Sequence, residues 1–442
     1  MRVKASLESY HKEIRAVFSV CPTDTTSALF EVNTSRIPSF SNWIVTGRFD
    51  AAILSGSLCY LMFRSCIRDL AKWGVIWILG QFLYSRRSQH LRELPCAERI
   101  FVGFVTLRAN QLTSKDYDGF RESLSGGLAE LSFGLRLPFV GLKRYLEGDA
   151  NVLPVLAYVR FNDVVSGIRR QLKLARVLAS SPGVSPAILA TFRQDVATGH
   201  PVASYVIGKT VGALCRKTAP QTTLYFPMER HDWEQIALAN VSGIRRVEAV
   251  QNCTFSPLDL NMYLIEKLSP AYRQAMPDCL HVLDDSWGDV FQNELGFSCE
   301  IRQLEKHRFS NECFKLQLDG RTPRLLYIGS INPVKLQLDL EALASLRNHV
   351  TVEVRLHPSL SNYTLPAGFA RSIELNGRFG WCVFADTSLV FQIDCARDYM
   401  IFIEHDSIPT QDPTAWFPNF GSSRMVASDV ASLCARTQDC IA

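Results

Sequence analysis

The C-terminal part of the chain alternates short apolar runs with polar loops. Apolar runs at residues 324–328, 350–356, 381–385 and 400–404 have the length of buried strands, and a segment with helical spacing covers residues 336–347. Strand, polar loop, helix and strand in this order are typical of a parallel sheet. We therefore predict an α/β domain built on a parallel sheet in this region.

The preceding part of the chain shows the same alternation less regularly. Strands are predicted at residues 102–107, 222–226, 246–250 and 279–283. The helices predicted in this part cover residues 162–179, 201–215, 229–239 and 286–295.

A change of pattern near residue 270 predicts a boundary between two domains. Pro270 and Pro277 flank a stretch that resembles a linker, and a new strand follows it. We therefore assign residues 1–270 to an N-terminal domain with a helical N-terminal region, and residues 271–442 to a C-terminal domain.

Two apolar stretches, residues 51–63 and 73–85, are candidates for membrane contact. Each runs for about 13 residues, whereas a spanning helix needs about 20. We expect two buried core helices, and the alternative is an interfacial helix at a bilayer surface. The aromatic residues that would touch the bilayer in that alternative are Trp73, Trp77, Phe82 and Tyr84.

Composition narrows the class of protein. The 442 residues are 47% hydrophobic and 20% charged, which is typical of a globular chain with two or three domains. A net charge of +4 argues against a nucleic-acid-binding protein with a large basic face. The 13 cysteines form no C-x-x-C pair, and the N-terminus lacks the apolar core of a secretory signal. These features favour a cytoplasmic protein with reduced, mostly buried thiols over one with a disulfide frame or a zinc site.

A histidine follows one of the predicted strands. His357 and Pro358 come directly after residues 350–356, so the imidazole is expected at the carboxyl edge of the sheet, where parallel sheets bind ligands. There it can donate a hydrogen bond to a phosphate, and Arg355, on the same side of the strand, can support it. The alternative is a histidine that only bonds to backbone at a strand end.

A glycine and a serine follow the strand at residues 324–328. Gly329 permits close approach of the backbone to a ligand, with Ser330 beside it. Lys335 lies at the start of the next predicted helix. Its side chain is expected either to reach a diphosphate or to lie at the protein surface.

A hydroxyl pair follows the strand at residues 381–385. Thr387 and Ser388 precede a helix predicted at residues 389–397, and such a helix start serves either as an anion site or as a simple N-cap. Asp394 in that helix is predicted to contact a sugar hydroxyl, and the alternative is a solvated charge.

Acidic residues follow the strand at residues 222–226. Glu229 stands where an active-site base is expected, because a buried carboxylate with a raised pKa can deprotonate an acceptor hydroxyl. Glu234 lies in the same stretch of charged residues, 229–234. The alternative is a capped helix start, since acidic side chains complement the helix dipole.

Three blocks resemble the bacterial surface-carbohydrate (lipopolysaccharide or O-antigen) biosynthesis proteins with a GT-B glycosyltransferase-like fold. Residues 225–234 resemble that family's Tyr-Pro-aromatic-Glu-Asn-x-x-Trp-Glu block, and residues 250–257 resemble its Gln-His-Ser-x-x-Ser-Pro loop. Residues 356–358 resemble its His-Pro element, with Thr387 and Ser388 standing for its Ser/Thr pair.

The resemblance covers about residues 100–410 and has three departures. Arg230 replaces the usual asparagine, Asn252 replaces the histidine of the loop, and Asp394 stands where glutamate is more common.

The resemblance implies two Rossmann-like domains that face each other across a cleft. The C-terminal domain would hold a nucleotide sugar through His357, Ser388 and the Gly329 loop, and Glu229 would be the base in the N-terminal, acceptor-side domain. The further substrate contacts predicted on this basis are Ser330, Arg355, Pro358, Thr387, Asp394, Gln251, Thr254, Ser256 and Glu234.

The expected function is therefore a metal-independent glycosyltransferase without a cofactor. Its partners would be a nucleotide-sugar donor and a glycan or lipid-linked glycan acceptor, with peripheral contact at the inner membrane and no nucleic acid. Two alternatives stay open. One is a nucleotide-sugar epimerase or hydrolase that uses the same donor cleft, and the other is a catalytically degenerate GT-B scaffold.

Overall fold

The computed structural model describes a large part of the chain. The residues described are 57–82, 91–103, 105–108, 111–114, 130–134, 152–180, 186–228, 232–241, 243–251, 255, 276–304, 316–330, 332–357, 360–372, 376–385, 387–391, 397–405, 417 and 423–426.

The described strands and helices alternate along most of the chain. In chain order the strands are β1 (Arg99–Gly103), β2 (Val105–Arg108), β3 (Gln111–Ser114), β4 (Glu130–Gly134), β5 (Val152–Pro154), β6 (Thr223–Pro227), β7 (Arg246–Val250), β8 (Cys279–Val282), β9 (Glu300–Gln303), β10 (Leu316–Leu318), β11 (Arg324–Ile328), β12 (Thr351–Arg355), β13 (Ala370–Arg371), β14 (Gly377–Phe379), β15 (Trp381–Phe384), β16 (Met400–Glu404) and β17 (Ser423–Val426). The α-helices are α1 (Leu58–Phe82), α2 (Phe161–Ser180), α3 (Pro186–Thr198), α4 (His200–Cys215), α5 (Asp232–Ala239), α6 (Asp285–Asp289) and α7 (Pro333–Leu343).

The first sheet has seven strands in the order β5-β4-β1-β6-β7-β8-β9, and every neighbouring pair is parallel. Its first six strands in chain order occupy positions 3-2-1-4-5-6, which is the doubly wound order of Rossmann sheets. The direction of winding reverses between β1 and β6. Ligands of such sheets bind outside the carboxyl ends of the strands at this reversal.

The second sheet repeats this topology. Its six strands run in the order β13-β12-β11-β15-β16-β17, again with only parallel pairs. The winding reverses between β11 and β15. The prediction of an α/β fold with parallel sheets is therefore confirmed.

The last strand of the first sheet ends at Gln303, and the first strand of the second sheet begins at Arg324. The predicted change of pattern near residue 270 is not a change of sheet, because β8 pairs with β7 and β9 pairs with β8 in the first sheet. Pro277 stands within a connection of the first sheet, between β7 and β8. Residues 256–275, which include Pro270, are outside the described residues.

A hydrophobic cluster joins the two sheets. It contains Leu280 and Val282 of β8, Leu326 of β11 and Phe384 of β15, all with at most 1% exposed surface. Trp287 of α6 is fully buried within it and lies 5.3 Å from Phe391, ring centroid to ring centroid. The segments after strands of both sheets therefore share one apolar core.

The N-terminal part of the described chain contains one long helix instead of two. α1 covers 25 residues and includes the charged segment between the two apolar stretches. It buries Met62, Asp69, Trp73 and Ile76, which follow helical spacing. Trp73 is thus a core residue and has no surface at which to touch a bilayer. Trp77 is half-buried against Phe161.

The opposite face of α1 is apolar and exposed. Its exposed side chains are Tyr60, Phe63, Ile67, Leu70, Val75, Ile78 and Phe82. Of the helices within the described ranges, none combines the length and hydropathy that crossing a bilayer requires.

Candidate functional site

The carboxyl edge of the second sheet brings together three of the predicted strand ends. The Gly329 N–H donates to the Arg355 carbonyl at 2.9 Å, and the Ala385 N–H donates to the Ile328 carbonyl at 3.2 Å. These two bonds tie the ends of β11, β12 and β15 into one edge at the reversal of winding. His357 follows β12 by two residues and is half-buried there.

Gly329 and Ser330 serve the fold at this edge. A Cβ on Gly329 would lie 3.0 Å from the Leu336 side chain, so the glycine permits α7 to pack closely against β11. The Ser330 hydroxyl is fully buried and accepts a hydrogen bond from the Asn332 N–H at 2.9 Å. The Gly329 N–H is already bonded to the Arg355 carbonyl, and a contact of either residue with a donor stays a prediction.

The hydroxyl pair after β15 is described in part. Thr387 is half-buried, and its Oγ1 accepts from the Leu389 N–H at 3.3 Å, as an N-cap does. The helix expected at residues 389–397 is replaced in the described part by a 3₁₀ helix, Ser388–Phe391. The side chain of Ser388 and residues 392–396, with Asp394, lie outside the described residues.

The Lys335 side chain does not lie at the surface. Its Nζ lies 2.9 Å from Asp339 and 3.4 Å from the Ile403 carbonyl, and the lysine is 2% exposed. Asp339 is fully buried and also accepts from the Tyr327 hydroxyl and interacts with the His405 Nε2. Lys335 therefore balances a buried carboxylate that three side chains contact.

Two of the predicted acceptor-side residues, Gln251 and Glu234, are described, and each follows a strand of the first sheet. Gln251 follows β7 and is 1% exposed; its Oε1 accepts from the Leu283 N–H at 3.0 Å and ties the ends of β7 and β8 together. Glu234 is buried in α5, which follows β6. Glu229, Thr254, Ser256 and Pro358 lie outside the described residues.

One polar cluster in the first sheet was not predicted from the sequence. Glu248 of β7 and both Cys279 and His281 of β8 are buried. The His281 Nε2 lies 2.7 Å from the Glu248 Oε2 and 3.9 Å from the Cys279 Sγ. Within the described ranges this is the group of side chains with the composition and spacing to hold a metal ion.

The cluster continues along one face of the sheet. Tyr225 of β6 stands beside Glu248 in register, and Phe101 of β1 stacks on Tyr225 with ring centroids 4.8 Å apart. Burial, together with the charge of Glu248, raises the pKa of Tyr225 to about 12. Burial also raises the pKa of the Cys279 thiol to about 12, so this thiol is not an activated nucleophile by itself.

A sequence signal for this cluster exists but is weak. Polar side chains stand at alternate positions in β7 and in β8, where a buried parallel strand would carry apolar ones. Only the register, which places Glu248 opposite Cys279, brings them together.

No protein-family model matches the chain, and no curated protein matches it.

Proposed function

We propose that the chain is a GT-B-type glycosyltransferase that moves a sugar from a nucleotide-sugar donor to a bacterial surface-polysaccharide or lipopolysaccharide precursor. The observation that carries the proposal is the repeated 3-2-1-4-5-6 strand order, with His357 at the carboxyl edge of the second sheet. A nucleotide diphosphate is the ligand class that such a reversal of winding accommodates. The two sheets would belong to two facing Rossmann-like domains.

In this proposal the second sheet binds the donor. The His357 imidazole donates a hydrogen bond to the diphosphate and stabilises the charge that develops on the departing nucleotide. Arg355 adds positive charge from the end of the same strand. Thr387 and Ser388 contribute hydroxyls from the neighbouring strand end. No metal ion is needed at the diphosphate, because these side chains balance the negative charge of the phosphates.

The first sheet would bind the acceptor. Glu229, two residues after the end of β6, would deprotonate the attacking hydroxyl, and that oxygen would form a bond to the anomeric carbon as the bond to the diphosphate breaks. Glu234 and Gln251 lie buried behind this edge and would hold its loops in place.

Thermal-shift measurements with a panel of nucleoside diphosphates and nucleotide sugars test the donor site. We expect one of them to raise the melting temperature of the protein. His357→Ala should weaken binding by about 10–100-fold, since a hydrogen bond to a charged group contributes about 1.5–3 kcal/mol. The matched control is His349→Ala, because His349 is exposed and precedes β12, at the opposite end of the same strand.

Two results would contradict the proposal. If no nucleotide shifts the melting temperature of the folded protein, the chain is a scaffold without a donor site. If a bound nucleotide sugar is isomerised or hydrolysed without an acceptor, the activity is that of an epimerase or hydrolase.

The exposed apolar face of α1 supports peripheral contact with the inner membrane as part of this proposal. Arg64 and Lys72 are exposed beside that face and suit anionic lipid headgroups. The double substitution Phe63→Glu/Ile67→Glu should lower co-sedimentation with anionic phospholipid vesicles by at least about tenfold. Leu172→Glu, an exposed apolar position on α2, is the control that should leave it unchanged.

A further inference from the structure

Three metal-ligating side chains converge inside the first sheet. Cys279 and His281 stand two residues apart on β8 and point to the same face, and Glu248 is the register partner of Cys279 on β7. All three are buried, and their ligand atoms lie within 4.8 Å of one another. The strands of a parallel sheet hold these side chains at fixed spacing.

The geometry distinguishes a metal site from a nucleophile with a proton relay. In a relay the imidazole uses one ring nitrogen for the nucleophile and the other for the carboxylate. Here the Glu248 Oε2 and the Cys279 Sγ both approach the same nitrogen of His281, Nε2, at 2.7 and 3.9 Å. The three ligand atoms therefore surround a single point.

We propose that Glu248, Cys279 and His281 bind one Zn²⁺ ion, with a water molecule as the fourth ligand. Thiolate, imidazole and carboxylate are the ligands that zinc takes in proteins, whereas Ca²⁺ and Mg²⁺ require oxygen ligands. The thiol proton of Cys279 leaves to solvent when the Zn–S bond forms. Thiolate and carboxylate together neutralise the ion, so no net charge is buried.

Small side-chain movements suffice to admit the ion. Metal–ligand distances of about 2.0–2.3 Å in a tetrahedral site place the ligand atoms about 3.3–3.6 Å apart. The distance between the Glu248 Oε2 and the His281 Nε2 would have to grow from 2.7 Å, and that between the Cys279 Sγ and the same nitrogen would have to shrink from 3.9 Å. Each change can come from rotation about side-chain bonds while the strands stay in register.

Arg246 orients the carboxylate for this role. Its Nε donates to the Glu248 Oε1 at 2.8 Å, which turns the other oxygen, Oε2, toward His281. Residues that hold a metal-ligating carboxylate in this way typically contribute about 10–100-fold in metal affinity. Arg246 is therefore a positioning residue of the proposed site.

The proposal is independent of the donor site, because the ligands stand within β7 and β8 of the first sheet. The ion would link the two strands side by side and stabilise the part of the sheet that leads to β9.

Cobalt titration of the full-length protein, after removal of metal with a chelator, tests the site. Co²⁺ replaces Zn²⁺ in tetrahedral sites and gives a thiolate-to-metal charge-transfer band when a cysteine is a ligand. We expect a band that saturates at one Co²⁺ per chain and disappears on addition of Zn²⁺. Cys279→Ser should abolish it, whereas Cys215→Ser, a buried cysteine in α4, should leave it unchanged.

Further variants keep the test decisive if Cys279→Ser folds poorly. Arg246→Ala should retain the band and weaken Zn²⁺ affinity by about 10–100-fold, as a positioning role requires. His281→Asn should lower the affinity further. A wild-type protein that folds but shows no band, or a band that persists in folded Cys279→Ser, would overturn the proposal and leave Glu248 and His281 as a buried hydrogen-bonded pair.

Discussion

The indole ring of Trp287 lies 5.3 Å from the phenyl ring of Phe391, measured between centroids. Trp287 belongs to α6, which follows β8 of the first sheet, and Phe391 follows β15 of the second. Phe255, in the segment after β7, lies 6.2 Å from the same indole with its ring edge-on. Segments at the carboxyl ends of both sheets therefore meet at Trp287, where the proposed donor and acceptor sites would approach each other.

A double-mutant cycle should reveal this contact as a coupling energy. Trp287→Ala and Phe391→Ala should each lower the free energy of unfolding by about 3–5 kcal/mol, because both rings are buried. The loss of unfolding free energy in the double variant should be smaller than the sum of the two single losses by about 0.5–1.5 kcal/mol. This difference is the contribution of an aromatic pair beyond its buried area. Urea unfolding followed by circular dichroism provides the measurement.

Trp73 provides the control for that cycle. It is buried in α1 but packs in a different hydrophobic cluster. Trp73→Ala should destabilise the protein and be additive with Phe391→Ala within about 0.3–0.5 kcal/mol. If the losses of unfolding free energy caused by Trp287→Ala and Phe391→Ala were additive, the two segments would not stabilise each other.

The apolar strands of the fold could be predicted from sequence, and the polar ones could not. The strands Arg246–Val250, Arg324–Ile328 and Met400–Glu404 have the predicted bounds. The last two are short apolar runs between turns, and the first carries apolar residues at alternate positions. β9 was missed because Glu300, Arg302 and Gln303 are exposed at a sheet edge and lack an apolar pattern.

The charges within α1 explain why one helix was predicted as two. Asp69 lies in the charged segment between the two apolar stretches, but its carboxylate is buried and pairs with Arg68 at 2.8 Å. The candidate site shows the same limit of prediction from sequence. The position of His357 at a strand end follows from the strand pattern alone. The cluster of Glu248, Cys279 and His281 needs the register of two strands about thirty residues apart.

Two glycines of α1 should respond to alanine in opposite directions. A Cβ on Gly80 would lie 2.6 Å from the Ala157 carbonyl oxygen, so Gly80→Ala forces α1 away from the turn at residues 155–158. A Cβ on Gly74 would meet no heavy atom within 4 Å. We expect Gly80→Ala to cost about 1–3 kcal/mol and Gly74→Ala to stabilise by about 0.5–1 kcal/mol. Thermal unfolding of the two variants checks this contrast, and equal effects would contradict the close packing at Gly80.

The buried carboxylate of Asp339 should be required as a counter-charge. Asp339→Asn leaves the Lys335 ammonium buried without its partner, and breaking a buried pair in this way costs about 3–5 kcal/mol. Replacing both, as Lys335→Met/Asp339→Asn, removes the buried charge and should recover part of that loss. Chemical denaturation of the single and double variants measures the difference. A double variant less stable than Asp339→Asn would show that the lysine contributes through packing or through its bond to the Ile403 carbonyl.

Asp319 should give the protein a contribution to stability that depends on pH. Burial alone would raise the pKa of this carboxyl, but hydrogen bonds from Thr322, Arg321 and Arg378 outweigh it and hold the pKa well below its ordinary value. A folded-state pKa below the unfolded one means that the contribution is complete above the unfolded value, about 3.9, and is lost as the pH falls below it. Asp319→Asn should therefore be less stable than wild type at pH 7, and the difference should shrink as the pH falls below about 4. The measurement is the midpoint of urea unfolding at each pH. Glu294→Gln, which removes an exposed carboxylate, is the control. A difference for Asp319→Asn that stays constant with pH would mean that shape and hydrogen bonding, and not charge, stabilise the turn between β10 and β11.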